Sequence, residues 1–210
     1  MQAPARPEQA LPAGPWSEGW WAHARRVASP NFGPRPPGLA GQVCLVVLHS
    51  ISLPPGCYGG PEVEQLFTNT LDWDAHPYFD GIRGLKVSAH FFIRRSGEVL
   101  QFVSTLDRAW HAGASTWQGR DQCNDHSVGV ELEGLEGSPF ESAQYRALNA
   151  LVRSLGCLHP LTDIAGHEHI APGRKGDPGP GFDWAELKNL MGELSLRGPT
   201  APGDGTFSAP

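Results

Sequence analysis

The sequence contains no run of lysine and arginine residues, and its formal net charge is -6. Proteins that bind nucleic acid usually carry a clustered basic face, so this charge argues against a nucleic-acid partner. The sequence also lacks a GxxxxGK[ST] motif and a GxGxxG motif after a strand, which excludes the two common nucleotide-binding loops. No apolar run approaches the roughly 20 residues that cross a bilayer, so we expect no contact with a membrane.

Cysteine is scarce, and its spacing is irregular. The four cysteines occur without a CxxC pair, at Cys44, Cys57, Cys123 and Cys157. This pattern fits neither a disulfide framework nor a thiolate zinc site. We therefore expect unpaired thiols and a cytoplasmic location. The N-terminal MQAPARPEQALPAGP also lacks the apolar core of a secretory signal.

The length of 210 residues suits one domain with short appendages. Segments rich in proline and alanine predict a flexible leader over residues 1–16 and a flexible tail over residues 196–210. The sequence therefore predicts a single domain over residues 17–195.

Apolar patterning predicts a mixed α/β fold, with a central mixed β-sheet flanked by helices. A continuous apolar run, 43–48, predicts a buried strand that ends at His49. Further strands are predicted at 90–94, 99–103, 106–110 and 128–133. Helices are predicted near 63–67, over 145–155 with a stop at Gly156, and after the capping-box pair Asp183 and Glu186. The long connection 50–87 is expected to form a wall of a site.

The segment 166–180, GHEHIAPGRKGDPGP, is too rich in glycine and proline for a regular helix or a central strand over most of its length. It nevertheless carries His167, Lys175 and Asp177, which are residue types that bind a metal or neutralise an anion. A catalytic zinc site uses about three protein ligands. His49 is the third candidate, because open α/β folds bind ligands at the carboxyl edge of the sheet. The resulting N,N,O donor set suits zinc.

Two carboxylates are candidates for the catalytic base. Glu131 and Glu133 alternate with apolar residues, so both face one side of the predicted strand. Either could activate water beside a metal, or both could face solvent, and the residues themselves leave this choice open. For three further histidines we favour packing or a contact with substrate over metal ligation: His90, His111 and His169.

Six motifs occur in one order: VVLHSISLPPG, GGPEVEQLFTNTLD, KVSAHFFIRRSGEVLQFV, RAWHAG, CNDHSVGVELEG and GHEHIAPGRKGDPGPGFDW. Together they resemble the AmpD-type N-acetyl-anhydromuramyl-L-alanine amidases of bacterial cell-wall recycling, over about residues 19–190. The resemblance implies one zinc ion per chain, with His49, His167 and Asp177 as its ligands. It further implies that Glu131 is the catalytic acid and base and that Lys175 stabilises the oxyanion beside the metal. Trp110 and His111 are implied to be pocket residues that contact substrate.

Three positions depart from the family pattern. Ser50 stands where asparagine is common, Lys86 stands where arginine is usual, and Gln122 replaces a basic residue. We expect these positions to contact the sugar or the stem peptide of the substrate. Lysine is also a poorer bidentate partner for a carboxylate than arginine. The departures therefore bear on substrate preference rather than on metal chemistry.

The predicted function is zinc-dependent hydrolysis of the amide between the lactyl group and L-alanine in anhydro-muropeptides, by a monomer. One alternative is an extracytoplasmic amidase that acts on intact peptidoglycan. A second alternative is a non-catalytic module that binds muropeptides. Modules of that kind typically lack a metal ligand or the catalytic acid, and this chain has candidates for both.

Overall fold

The computed structural model describes residues 15–39, 41–192 and 196–199. The strands are β1 (Trp16–Ser17), β2 (Trp20–Trp21), β3 (Arg25–Arg26), β4 (Phe32–Pro34), β5 (Leu45–Ile51), β6 (Phe91–Ile93), β7 (Val99–Gln101), β8 (Asp107–Ala109), β9 (Thr116–Trp117), β10 (Arg120–Asp121), β11 (Ser127–Glu133) and β12 (Asp163–Gly166). The helices are α1 (Glu62–Phe67), α2 (Ser142–Leu158), α3 (His167–Ile170) and α4 (Trp184–Met191), with short 3-10 helices at Pro77–Ile82 and Cys123–Asp125.

The six-stranded central sheet has the order β12-β5-β11-β6-β7-β3. Neighbouring strands from β12 to β6 are parallel, whereas β6 and β7 form an antiparallel hairpin and β3 pairs with β7 in parallel. The predicted mixed sheet flanked by helices is therefore confirmed. Because β12, β5 and β11 are parallel, their carboxyl ends lie at one edge of the sheet.

The two faces of the sheet are buried against different elements. On one face, Val46 and Leu48 of β5 pack in a core that contains apolar residues of α2 and α4. On the other face, β6 and β7 pack against α1 and the 77–82 helix, which belong to the long connection 50–87. Successive side chains of a strand alternate between the faces, so His49 points away from α2 and α4.

Three local expectations were wrong or incomplete. Helix α2 continues past Gly156 to Leu158, because the cost of one exposed glycine, about 1 kcal/mol, is offset by the buried leucines of the same helix. The strand β12 was missed, since Ile164 is its only β-branched residue and its other residues, aspartate, alanine and glycine, are depleted in strands. The first residues after it form the single-turn helix α3, inside a segment that was predicted to be irregular over most of its length. In α4, Asp183 accepts hydrogen bonds from the backbone of residues 185 and 186, as its capping role requires.

The predicted domain limits fall at the margins of the described residues. Of the predicted leader, only residues 15 and 16 are described, and Trp16 already belongs to β1. Of the predicted tail, residues 196–199 are described, and Arg197 forms an isolated bridge with Asp163 of β12. Limits at 17 and 195 therefore stay a prediction. Within the described ranges, no helix is both long and apolar enough to cross a bilayer.

Candidate metal and catalytic site

Strand register brings the predicted site residues together. His49 of β5 is directly paired with Glu131 of β11, and Gly166 at the end of β12 is paired with Leu48. His167 therefore follows β12 at the level of His49. The backbone N–H of Glu168 donates to the carbonyl oxygen of Asp177 at 2.9 Å, which returns the Asp177 loop to the same edge.

The three predicted metal ligands meet at one point. His49 Nδ1 lies 2.9 Å from His167 Nδ1, and Asp177 Oδ2 lies 3.1 Å and 3.2 Å from these two nitrogens. Zinc binds nitrogen and oxygen at about 2.0–2.2 Å, and tetrahedral geometry then separates its ligand atoms by about 3.3–3.6 Å. The observed separations are shorter than this by a few tenths of an ångström, and the two imidazole nitrogens and one carboxylate oxygen are donor types that zinc binds.

The orientation of His167 supports a cation at this point. Its Nε2 lies 3.1 Å from the carbonyl oxygen of Ala112. A carbonyl can only accept, so Nε2 carries the ring proton and a neutral ring leaves a lone pair on Nδ1. That lone pair faces the Asp177 carboxylate and His49. A cation is the natural partner for such a cluster.

Burial and hydrogen bonding set the charge of the two remaining candidate ligands. Burial lowers the pKa of His49 to about 4, so its imidazole is neutral at pH 7. Burial raises the pKa of Asp177, but the hydrogen-bonding rings of His167 and His49 lower it by more, and the carboxylate is ionised. Neutral imidazoles and an ionised carboxylate are the forms that bind a metal.

The far side of His49 contacts a second histidine. His49 Nε2 lies 2.9 Å from His111 Nδ1, and His111 Nε2 lies 3.3 Å from the hydroxyl oxygen of Ser127. Burial lowers the pKa of His111 well below its ordinary value, so this ring is also neutral. The backbone N–H of His111 donates to the side-chain oxygen of Asn124 at 3.1 Å.

The structure distinguishes the two carboxylates of β11. Glu133 is 4% exposed, accepts from Arg94 at 3.2 Å, and accepts from the backbone N–H groups of Arg95 and Gly59. Glu131 lines the cavity above the metal-ligand cluster, and its buried Oε2 has no hydrogen-bond partner among the described residues. Burial, followed by the Asp177 charge, raises the pKa of Glu131 well above its ordinary value. Glu131 is thus the carboxylate of β11 that is open to the cavity, whereas Glu133 is held by Arg94 and two backbone N–H groups.

A cavity of about 410 Å³ opens over this cluster. Its lining includes the predicted site residues Ser50, Trp110, His111 and Lys175, together with Tyr78, Leu85 and Leu135, whose apolar surfaces are partly exposed. The long connection 50–87 forms part of this wall. Lys86 and Gln122 are exposed and do not line the cavity. Their contact with substrate stays a prediction, and this cavity does not support it.

The competing histidines have other partners. His169 Nδ1 accepts from the backbone N–H of Gly166 at 3.0 Å and so caps α3. His90 is fully buried, where it accepts from the backbone N–H of Gly129 and contacts the carbonyl oxygen of Asp107. Neither belongs to the His-His-Asp group. The hydrogen bond between His49 and His111 was missed, because nothing in sequence spacing links residues 62 positions apart.

Comparison with known proteins gives concordant matches. A family model described as N-acetylmuramoyl-L-alanine amidase matches residues 40–180. The chain is 51% identical over 176 residues to the 1,6-anhydro-N-acetylmuramyl-L-alanine amidase AmpD of Citrobacter freundii, an alignment that covers 83% of this chain and 93% of that protein. A crystal structure of a selenomethionine derivative of AmpD superposes with a TM-score of 0.79 at 50% identity, covering 84% of this chain and 98% of that one.

A more distant solved structure contains a ligand. The amidase AmiD of Escherichia coli, in complex with the substrate anhydro-N-acetylmuramic acid-L-Ala-D-gamma-Glu-L-Lys, superposes with a TM-score of 0.53 at 26% identity. That alignment covers 74% of this chain and 60% of AmiD. The matched region 40–180 contains all three candidate metal ligands as well as Glu131 and Lys175. Sequence, fold and donor geometry agree, and the chain belongs to the N-acetylmuramoyl-L-alanine amidase family.

Proposed function

We propose that this protein is a zinc-dependent amidase that hydrolyses the lactyl–L-alanine amide of anhydro-muropeptides. One observation carries the proposal. A His-His-Asp group whose spacing suits a zinc ion lies beneath the cavity. The half-buried carboxylate of Glu131 lines the same cavity, and Glu131 is paired across the strands with the candidate ligand His49. Relatives at about half identity carry the name of this activity, and the substrate in the AmiD complex contains this amide.

His49, His167 and Asp177 would hold one zinc ion through two Nδ1 atoms and one carboxylate oxygen. When bound, zinc supplies Lewis-acid polarisation of the amide carbonyl and acidifies water at the site. The carboxylate offsets one unit of the metal charge, while the neutral imidazoles offset none. A net positive charge is thus kept where negative charge develops on the substrate.

Glu131 would act as the base and then as the acid. Burial raises the pKa of Glu131 towards neutral pH. A group that acts first as a base and then as an acid works best when its pKa lies near the pH of the reaction. The Glu131 carboxylate accepts a proton from the attacking water as the oxygen bonds to the carbonyl carbon. The same carboxyl then donates that proton to the alanine nitrogen as the C–N bond breaks. No covalent intermediate with the protein is needed.

Lys175 would stabilise the oxyanion of the tetrahedral intermediate. It lines the cavity, and its charge lowers the pKa of Glu131 against the larger effect of burial. A well-placed donor to an oxyanion typically contributes about 3–4 kcal/mol. Ser50 and Trp110, on the cavity wall, are proposed to contact the substrate.

We further propose a cytoplasmic monomer that acts on soluble muropeptides. All four cysteines are free thiols, which agrees with a reducing compartment. Activity measured on soluble anhydro-muropeptides and on whole sacculi would separate this proposal from an extracytoplasmic amidase. Higher turnover on sacculi would overturn it.

The direct test is mass spectrometry of an anhydro-muropeptide incubated with the zinc-loaded protein. We expect release of the L-alanyl stem peptide, and we expect it to cease when Asp177→Ala removes one ligand. Asp74→Ala is a control, because Asp74 is an exposed carboxylate paired with Arg83 and should not affect turnover. Muropeptide binding without release, by protein containing one zinc per chain, would instead indicate a non-catalytic binding module.

A further inference from the structure

His49 presents one ring nitrogen to the metal ligands and the other to His111. The two imidazoles meet edge to face, with ring centroids 5.1 Å apart and an interplanar angle of 82°. The ligand histidine therefore has no solvent contact on its far side, and it is 1% exposed. The hydrogen-bond partner of its Nε2 thus decides which of its two nitrogens carries the proton.

The direction of hydrogen bonding is fixed at the end of this chain of contacts. The hydroxyl of Ser127 lies 2.6 Å from the carbonyl oxygen of Cys123. A carbonyl can only accept, so the single hydroxyl proton is donated there. The Ser127 oxygen is then left to accept from His111 Nε2, which lies 3.3 Å away.

The position of the proton on His111 in turn fixes the position of the proton on His49. A neutral imidazole carries one proton, so a His111 ring protonated on Nε2 has a bare Nδ1. That Nδ1 accepts from His49 Nε2 across 2.9 Å. His49 is then bare at Nδ1, the atom that lies 2.9 Å and 3.1 Å from the other two ligand atoms.

We propose that His111 is a positioning residue that, with Ser127, fixes His49 in the tautomer whose Nδ1 lone pair points into the metal site. This inference rests on the proposed zinc site, and it adds a residue that binds neither metal nor the reacting atoms. Outer hydrogen-bond partners of metal-bound histidines orient the ring and raise its basicity. The chain of donors runs from His49 through His111 and Ser127 to a backbone carbonyl.

The position of the His111 ring is itself fixed by packing. A Cβ atom added at Gly129 would lie 2.4 Å from His111 Cγ, so the ring lies directly against that backbone. The side-chain oxygen of Asn124 accepts from the backbone N–H groups of both His111 and Ala112, at 3.1 Å and 2.9 Å. The ring thus has little freedom to turn away from His49.

The first test reads the tautomer in wild-type protein and needs no variant of His111. The ring nitrogens of ¹⁵N-histidine-labelled, metal-free protein are observed by NMR, and His49→Gln assigns the resonances of residue 49. We expect His49 to be protonated at Nε2 and bare at Nδ1. A His49 ring protonated at Nδ1 would overturn the proposal.

The second test measures zinc affinity by competition with a chelating dye. His111→Phe retains a ring but removes both nitrogens, and we expect zinc to bind about 10–100-fold more weakly. His111→Gln retains one acceptor and one donor, so we expect it to restore part of this loss. His159→Phe is the matched control, because His159 is a buried histidine that bonds to Thr105 and not to a metal ligand. We expect wild-type affinity for it.

The outcomes separate this inference from the proposed function. If wild-type protein binds zinc tightly and His111→Phe binds it within twofold of wild type, the positioning role is wrong while the proposed function stands. If wild-type protein binds no zinc, the proposed function fails, and the tautomer of His49 in the metal-free protein still decides the inference. Equal losses in His111→Phe and His159→Phe would show a general effect of core damage and would also overturn it.

Discussion

Glu131 and His49 occupy directly paired positions on the parallel strands β11 and β5. Paired residues of parallel strands project their side chains from the same face, so the proposed base and one proposed metal ligand are held by the same pair of strands. Asp177 and Lys175 come from a loop that returns to this edge. The strand residues Glu131 and His49 and the loop residues Lys175 and Asp177 therefore belong to different structural elements. Substitutions can perturb the two parts separately.

The two carboxylates of β11 should give opposite mutational phenotypes. We expect Glu131→Gln to lower turnover about 10²–10⁴-fold through loss of the proton acceptor, with the melting temperature nearly unchanged. Glu133→Gln should retain most turnover. It should lower the free energy of unfolding by about 1–3 kcal/mol, because Arg94 and two backbone N–H groups lose a charged acceptor. Turnover assays and urea denaturation of both variants measure this contrast. Near-wild-type turnover by Glu131→Gln would remove its assigned role.

Metal removal should destabilise the fold. A ligand that binds only the native state stabilises it by about 4 kcal/mol at a concentration 1,000 times its dissociation constant. We expect a chelator to lower the melting temperature of the wild-type protein and of Asp74→Ala. Asp177→Ala should melt at the same temperature with and without chelator. Differential scanning calorimetry with zinc re-addition checks this expectation, and a chelator-insensitive wild-type protein would contradict it.

Much of the site is predictable because strands impose a simple geometry. An apolar run that ends in a histidine indicates a sheet edge, and period-two alternation places Glu131 and Glu133 on one face. Residue types in the segment 166–180 then supply His167 and Asp177. The family resemblance, and not the residues alone, favoured Glu131 over Glu133. The structure supplies the physical reason, since Arg94 already neutralises Glu133.

The remaining features depend on contacts between distant residues. Strand β12 has the sequence DIAG, with a single β-branched residue and no apolar alternation, so the sequence did not reveal it. Its pairing with β5 is what brings His167 beside His49. The proposed role of His111 depends on a hydrogen bond between its ring, in the loop after β8, and His49 of β5. Pairings of this kind are set by tertiary structure and have no local sequence signature.

Gly129 offers a way to displace His111 without removing any polar group. A methyl group at this position would lie 2.4 Å from the His111 ring, so we expect Gly129→Ala to weaken zinc binding. Overpacking should also cost about 1–3 kcal/mol of stability. Gly33→Ala is the matched control, because Gly33 lies in β4 and an added Cβ there would meet nothing within 4 Å. Zinc titration of both variants measures the difference, and equal affinities would show that the ring position is unimportant.

Acid should lower the free energy of unfolding of the metal-free protein, because its buried histidines are neutral in the fold. His159 lies away from the proposed metal ligands, so its contribution can be measured separately. Burial, reinforced by the charge of Arg35, lowers the pKa of His159 to about 4. The unfolded chain, with an ordinary value near 6.5, therefore takes up a proton first as the pH falls. The contribution of neutral His159 to stability is complete above about pH 6.5 and is lost as the pH approaches 4. Urea unfolding at pH 7, 6 and 5 should show the advantage of wild type over His159→Gln shrinking with falling pH, by at most about 1.4 kcal/mol per pH unit. A constant difference across this range would mean that His159 titrates alike in both states.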